Sequence, residues 1–223
     1  MHFLSTDPLV YLVRLMVIFA ILPIHECAHA WVSYKLGDPT AKNLGRLTIN
    51  PLKHIDVIGA LCLLFAGFGW AKPVPIDARY YRNRKYGMAL SALAGPVANL
   101  LMGVVVLAVG KVFYGFYAAG GYVSTPMYYL YYIFALMAQI SVSLAVFNLL
   151  PVPPLDGSRI LLLFLPEKAY FGLMRYERYI SYALFALLFF GLLDAPLSFL
   201  TNLCWRAVDW STAWIPALFR LGA

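Results

Sequence analysis

Leu22-Pro23-Ile24-His25-Glu26-Cys27-Ala28-His29-Ala30-Trp31 sets two histidines and a glutamate inside an apolar run that extends from Pro8 to Tyr34. On a helix, residues four apart share a face. His25 and His29 can therefore reach one metal ion, and Glu26 beside them can take a proton from a water held there. Cys27 points about 200° away from His25, because each residue advances about 100°, and reads as packing. A satisfied polar cluster is the bland alternative. Against it, three ionisable groups within a membrane-length helix are costly and mark function by default.

That run is one of several. Of 223 residues, 62% are hydrophobic and 12% charged, whereas soluble domains carry about 25% charged residues. A bilayer crossing needs on the order of 20 apolar residues, and the chain has several such runs. The expectation is one membrane-embedded domain over residues 1–223, with a core at about 8–178 and a C-terminal span and tail at 179–223. No polar stretch approaches the roughly 50 residues that a separate soluble domain needs. The net charge of +7 sits in short loops between apolar runs. There it orients a membrane protein and does not call for nucleic acid. Cys27, Cys62 and Cys204 are scattered through apolar stretches, with neither a disulfide framework nor zinc-ribbon spacing. The N-terminus lacks a basic n-region and a cleavage site, so the first run is expected to be retained.

Loop charge sets the sides. Lys35, Lys42, Arg46 and Lys53 precede the apolar run Ile55–Ala71, and Lys72, Arg79, Arg82, Arg84 and Lys85 follow it. Both flanks read as cytoplasmic. Two inside flanks cannot bound one crossing, so this short run is expected to dip in and return. Its non-helical backbone would be covered by protein or line a water-filled cavity. The remaining runs, Gly87–Gly110, Met127–Leu150 and Tyr179–Leu193, then alternate. The N-terminus lies outside, with Arg14 snorkelling outward. The Lys111–Pro126 loop is outside, and Arg159–Arg178 is inside. The tail beyond Pro196 holds Arg206 and Asp209, and either spans or lies at the interface. The fold expected is an all-α polytopic membrane protein with about five to six transmembrane helices, in a prokaryotic cell membrane.

A catalytic zinc takes three protein ligands and leaves a fourth position open. The helix supplies two. Asp156 is the candidate for the third. It follows Asn148-Leu149-Leu150-Pro151-Val152-Pro153-Pro154-Leu155, where prolines stop the helix, and Gly157 permits a tight turn. His25 and His29 lie near the cytoplasmic end of their helix, about 9 Å from Lys35 at about 1.5 Å per residue. Asp156 also lies near the cytoplasmic end of its span. An Asp-Gly pair alone is an ordinary turn.

These residues, with Gly95-Pro96-x-x-Asn99 in a middle span and Asn148-x-x-Pro151 leading to Leu155-Asp156-Gly157, resemble the site-2 protease family of intramembrane zinc metalloproteases. Asn50-Pro51-Leu52-Lys53-His54-Ile55-Asp56 and Phe68-Gly69-Trp70-Ala71-Lys72-Pro73-Val74-Pro75 resemble its small branch, which lacks PDZ and CBS domains. The likeness extends from about Ile18 to Glu177. It implies one Zn2+ per chain held by His25, His29 and Asp156, and Glu26 as general base. It also implies a short re-entrant β element, and substrates that are single membrane-spanning segments, cut for signalling or to clear signal-peptide remnants.

Other residues carry paired readings. Asn148 is a candidate donor to the developing oxyanion, or a helix-packing hydrogen bond. His54 contacts the site or substrate, or is a loop histidine at the interface. Asn99 is expected to satisfy backbone groups freed by Pro96. Pro73 and Pro75 remove donors from one strand edge, leaving the Val74 N–H on the other to pair with an extended substrate. The chain's expected partners are the lipid bilayer and a transmembrane protein substrate. A metal transporter would use the same two histidines and aspartate, but would not require Glu26. A catalytically dead relative would not keep the motif intact.

Overall fold

The Pro8–Tyr34 run folds as part of one helix, α1 (Pro8–Lys35), in a computed structural model that describes residues 7–119 and 124–220. The N-terminal residues 1–6 and the middle of the Lys111–Pro126 loop, both assigned to the outside above, lie beyond the described residues. Asp7 starts α1, its side chain accepting from the Leu9 N–H at 2.9 Å. Pro23 lies inside the helix and has no N–H to give its ladder. Just before it the helix widens into a π turn over Val17–Ile21, a form that absorbs such a defect. Beyond it Leu22–Lys35 is regular and carries the motif. Val13, Val17, Ile18, Ile21 and Leu22 form the core with Leu63, Leu107, Val142 and Val208.

Gly37, at φ 105°, turns the chain off α1. Asp38 is fully buried at this corner. It accepts from Ser33 Oγ at 2.9 Å, from the Thr40 N–H at 2.9 Å and from the Asp77 N–H at 2.8 Å. Burial raises a carboxyl pKa, but here the hydrogen bonds from Thr40, Asp77 and Ser33 outweigh it and hold Asp38 below its ordinary value. A lowered pKa gives stability that is present above the unfolded-state value and lost as pH falls through the folded one. Asp38→Asn, whose NH2 must meet a donor, should therefore destabilise the fold by about 1–3 kcal/mol at neutral pH. The gap from wild type should close below about pH 4. Thermal unfolding across pH measures both.

A short helix, α2 (Thr40–Asn43), and a 3-10 turn at Pro51–Lys53 lead to α3 (Val57–Ala66). Asp56 caps α3 by accepting from the Gly59 N–H at 2.9 Å, and Gly67 ends it in the left-handed region. Arg14 does not snorkel outward. It donates to the Leu64 carbonyl at 2.7 Å and the Phe65 carbonyl at 3.3 Å. The last carbonyls of a helix lack internal partners and carry the negative end of its dipole, so the guanidinium is better placed there. The chain then doubles back so closely that a Cβ on Gly69 would lie 2.1 Å from the Gly59 carbonyl oxygen. Ile55 and Ala71 form an isolated antiparallel bridge, and the Lys72 N–H donates to the His54 carbonyl at 2.7 Å. The two ends of the Ile55–Ala71 run thus meet. Among the described residues this is an isolated bridge and no strand forms at Pro73–Pro75, so the expected β element is not confirmed. The ladder stops at Pro73, which has no donor to extend it.

A 3-10 turn at Ala78–Tyr80 precedes the longest helix, α4 (Arg84–Ala118), which packs closely with α5 (Ser124–Asn148). Lys111 is not in a loop. It is buried in α4, and its Nζ reaches the Asp209 carboxylate at 2.7 Å and the Asp209 carbonyl at 2.8 Å. That pairing keeps a charge tolerable within an apolar helix and ties α4 to the tail. After α5 come α6 (Asp156–Ile160), a 3-10 turn at Leu161–Leu163, α7 (Glu167–Met174), α8 (Glu177–Phe189), α9 (Asp194–Ser211) and α10 (Ala217–Arg220).

Three helices among the described residues are long and apolar enough to cross a bilayer: α1, α4 and the Thr125–Asn148 part of α5. A fourth span results if α8 and α9, bent by 85° at their junction, count as one. This is fewer than the five to six expected. The Ile55–Ala71 run gives a helix of only 10 residues, and the Tyr179–Leu193 run a helix of 13 before the bend. Exposed apolar side chains such as Trp31, Leu101 and Phe116 clothe the bundle.

Candidate metal centre

The regular half of α1 turns His25 and His29 inward, where both are buried. Asp156 arrives from the far side. α5 ends at Asn148, the Pro-rich segment reverses the chain, and Asp156 is the first residue of α6. Gly157 lets α6 start directly on the end of α5. A Cβ there would lie 2.2 Å from the Leu149 carbonyl oxygen and 2.4 Å from that of Leu150.

The three side chains meet. Nε2 of His25 and Nε2 of His29 are 3.0 Å apart, and each is 3.3 Å from Oδ2 of Asp156. In a tetrahedral centre with bonds of about 2.0–2.1 Å, ligand atoms lie about 3.3 Å from one another. The spacing fits a metal ion. The tautomer fits too: His29 Nδ1 donates to the Ser91 carbonyl at 2.7 Å, which leaves Nε2 with a bare lone pair. Asp156 Oδ2 is buried without a hydrogen bond, and a metal ion would satisfy it.

Gly95 of α4 lies against the two imidazoles. A Cβ there would come 2.3 Å from His29 Nε2 and 2.5 Å from His25 Cε1. Gly→Ala inside a helix ordinarily stabilises by about 1 kcal/mol. Gly95→Ala should instead weaken metal retention roughly tenfold or more, on the scale of losing a group that orients a ligand. Metal content after dialysis, compared with a Gly103→Ala control in the same helix, reports it.

Glu26 is next to His25, and its Oε2 accepts from the Val74 N–H at 3.1 Å. The Val74 amide, expected to face a substrate strand, is thus engaged inside the protein. His54 is buried rather than interfacial. Its Nε2–H donates to the Thr48 carbonyl at 2.7 Å, and its Nδ1 is 3.5 Å from Arg46 Nη2. Burial, and then Arg46, push its pKa below the usual imidazole value. Asn148 donates through Nδ2 to the Leu144 carbonyl at 3.0 Å, within its own helix. Asn99 is fully buried, and its side-chain amide has no hydrogen-bond partner among the described residues, so it does not satisfy backbone freed by Pro96. Its carbonyl accepts from Ser141 Oγ at 2.7 Å. The Ser91 carbonyl was missed by sequence reasoning because a backbone group leaves no residue signature.

An H-E-x-x-H helix and a distant aspartate that converge inside an apolar helical bundle define a membrane protein with a metal centre of the metallopeptidase type. Residues 13–191 match the family described as peptidase family M50, and the chain belongs to that family, the site-2 protease family its motifs resemble. It is 44% identical over 140 residues to "Putative zinc metalloprotease YwhC" of Bacillus subtilis, covering 62% of each chain. It is 29% identical over 143 residues to "Putative zinc metalloprotease Rip2" of Mycolicibacterium smegmatis, covering 61% of this chain and 51% of the relative. The Rip2 of Mycobacterium tuberculosis matches at 29% over 142 residues, with the same coverage of 61% and 51%. The chain thus spans between half and two thirds of the length of these curated relatives. No solved structure matches it.

Proposed function

We propose that the chain is an intramembrane zinc endopeptidase that cuts single membrane-spanning segments in or beside the bilayer. The observation that carries this is the convergence of His25, His29 and Asp156 at 3.0–3.3 Å with Glu26 alongside. His25 and His29 would hold zinc through Nε2 and Asp156 through Oδ2. When bound, zinc lowers the pKa of water to about 7 and polarises a carbonyl. Glu26 takes the proton of the attacking water and returns it to the leaving amine. The His29–Ser91 hydrogen bond keeps one imidazole in its ligand tautomer. Asn148 has a second N–H beyond the one given to Leu144, and that N–H is its candidate donor to the oxyanion.

The same reading makes residues 1–223 one membrane-embedded domain and Ile55–Ala71 a re-entrant loop entered and left from the cytoplasmic side. Its paired ends and the basic residues on both flanks support this. The N-terminus then lies outside. The bacterial origin of the curated relatives supports a prokaryotic cell membrane. Substrates are membrane proteins cut for signalling or signal-peptide remnants being cleared.

Topology is tested by single cysteines at Asn43 and Arg82, both exposed, in a background with Cys27, Cys62 and Cys204 replaced. An impermeant thiol reagent should reach both from the cytoplasmic side only. Labelling of just one of them from outside would make Ile55–Ala71 a complete crossing and remove the re-entrant loop.

A further inference from the structure

The carboxylate of Glu26 is held by a segment that is itself pinned at both ends. Val74 lies between Pro73 and Pro75 and has the one N–H of the three. That N–H donates to Glu26 Oε2 at 3.1 Å. Upstream, Lys72 is fixed twice: its N–H donates to the His54 carbonyl at 2.7 Å, and its carbonyl accepts from Arg46 Nη2 at 2.6 Å. Downstream, the Asp77 N–H is held by Asp38, which is bonded to Ser33 in the last turn of α1. α1 also carries Glu26, so the segment closes a loop onto the helix that holds the base. Between the pins the Val74 side chain is buried with Ala30 and Ala41. Arg46 is buried and reaches the segment across 26 positions of sequence.

We propose that the Val74 amide is a positioning group for Glu26, and that Arg46 is the residue that keeps the amide in place. A glutamate has three rotatable bonds, and a base must stay within hydrogen-bond reach of the proton it takes. One oxygen tied to Val74 leaves the other, Oε1, to face the water, with the rotamer already chosen. The arrangement has a second consequence. Pro73 and Pro75 have no donors and the donor of Val74 is occupied, so an extended substrate lying on this segment can be bonded only through its carbonyls.

The proposal rests on Glu26 acting as the base, and its first test does not require cleavage. Because both neighbours are prolines, the Val74 amide is the one exchangeable proton between Lys72 and Ile76, and hydrogen exchange can resolve it. Its exchange should be slow in wild type and in Glu26→Gln, whose amide oxygen still accepts. It should be roughly tenfold faster or more in Glu26→Ala and in Arg46→Met. Equal exchange in all four would overturn the link.

The second test compares Val74→Ala, which keeps the N–H, with Val74→Pro, which removes it. Val74→Ala reports what the loss of the buried side chain alone costs. Relative to Val74→Ala, Val74→Pro should lose roughly a further tenfold or more in kcat, with KM within about twofold and zinc content unchanged. Equal kcat in the two variants would overturn the positioning role while leaving the protease reading intact. A wild-type protein that cleaves nothing would sink the protease reading, and the exchange pattern would still decide the contact between Glu26 and Val74.

Discussion

Asp156→Ala should empty the centre and abolish cleavage. In wild type the aspartate stands 3.3 Å from the two imidazole nitrogens and would supply the negative charge among the three proposed metal ligands. Without it, two neutral histidines on one helix remain, and zinc requires a third protein donor to be held with an open position. We expect zinc per chain to fall from one to a small fraction after dialysis, and cleavage to drop below detection. His25→Ala and His29→Ala should behave alike. The fold should persist, because Asp156 is not part of the core between α1, α4 and α5. Full zinc occupancy and full activity in Asp156→Ala would mean that another residue is the third ligand.

The second large effect belongs to Glu26. Its carboxylate is not among the three convergent candidate ligand atoms, so Glu26→Gln should leave zinc in place and remove only the proposed base. Cleavage should fall roughly a hundredfold or more, within the range for loss of a positioned general base. Gln can still accept from the Val74 N–H, so the neutral variant should preserve the local geometry and hold substrate without cutting it. Zinc content measured on the preparation used for cleavage separates this from loss of the metal.

The features legible in the sequence are those set by local geometry. The i, i+4 spacing of His25 and His29 follows from the helical repeat. The approach of Asp156 follows from its expected depth, since loop charge puts the ends of both spans that carry the candidate ligands on one side. Contacts between distant backbone and side-chain groups were not legible. Arg14 caps α3 across 50 positions, and nothing in its surroundings distinguishes that from snorkelling. Val74 reads as a free strand edge until the tertiary fold brings Glu26 to it across 48 positions. Lys111 looks like a loop residue because it is charged, but Asp209, 98 positions away, lets α4 continue past it. The π turn before Pro23 lies in an unbroken apolar run, where hydrophobic pattern gives no mark of a changed helical period. The expected span count is not confirmed for a related reason: apolar length does not tell a straight helix from α8 and α9, which bend by 85°.

Intramembrane cleavage is measured with the purified chain in lipid vesicles and a single-span substrate, its products read by mass spectrometry. A zinc endopeptidase should cut a peptide bond in or beside the membrane segment, with activity lost on chelation and restored by zinc. An intact substrate, with one zinc bound per chain, would contradict this reading and leave a metal-holding membrane protein in its place.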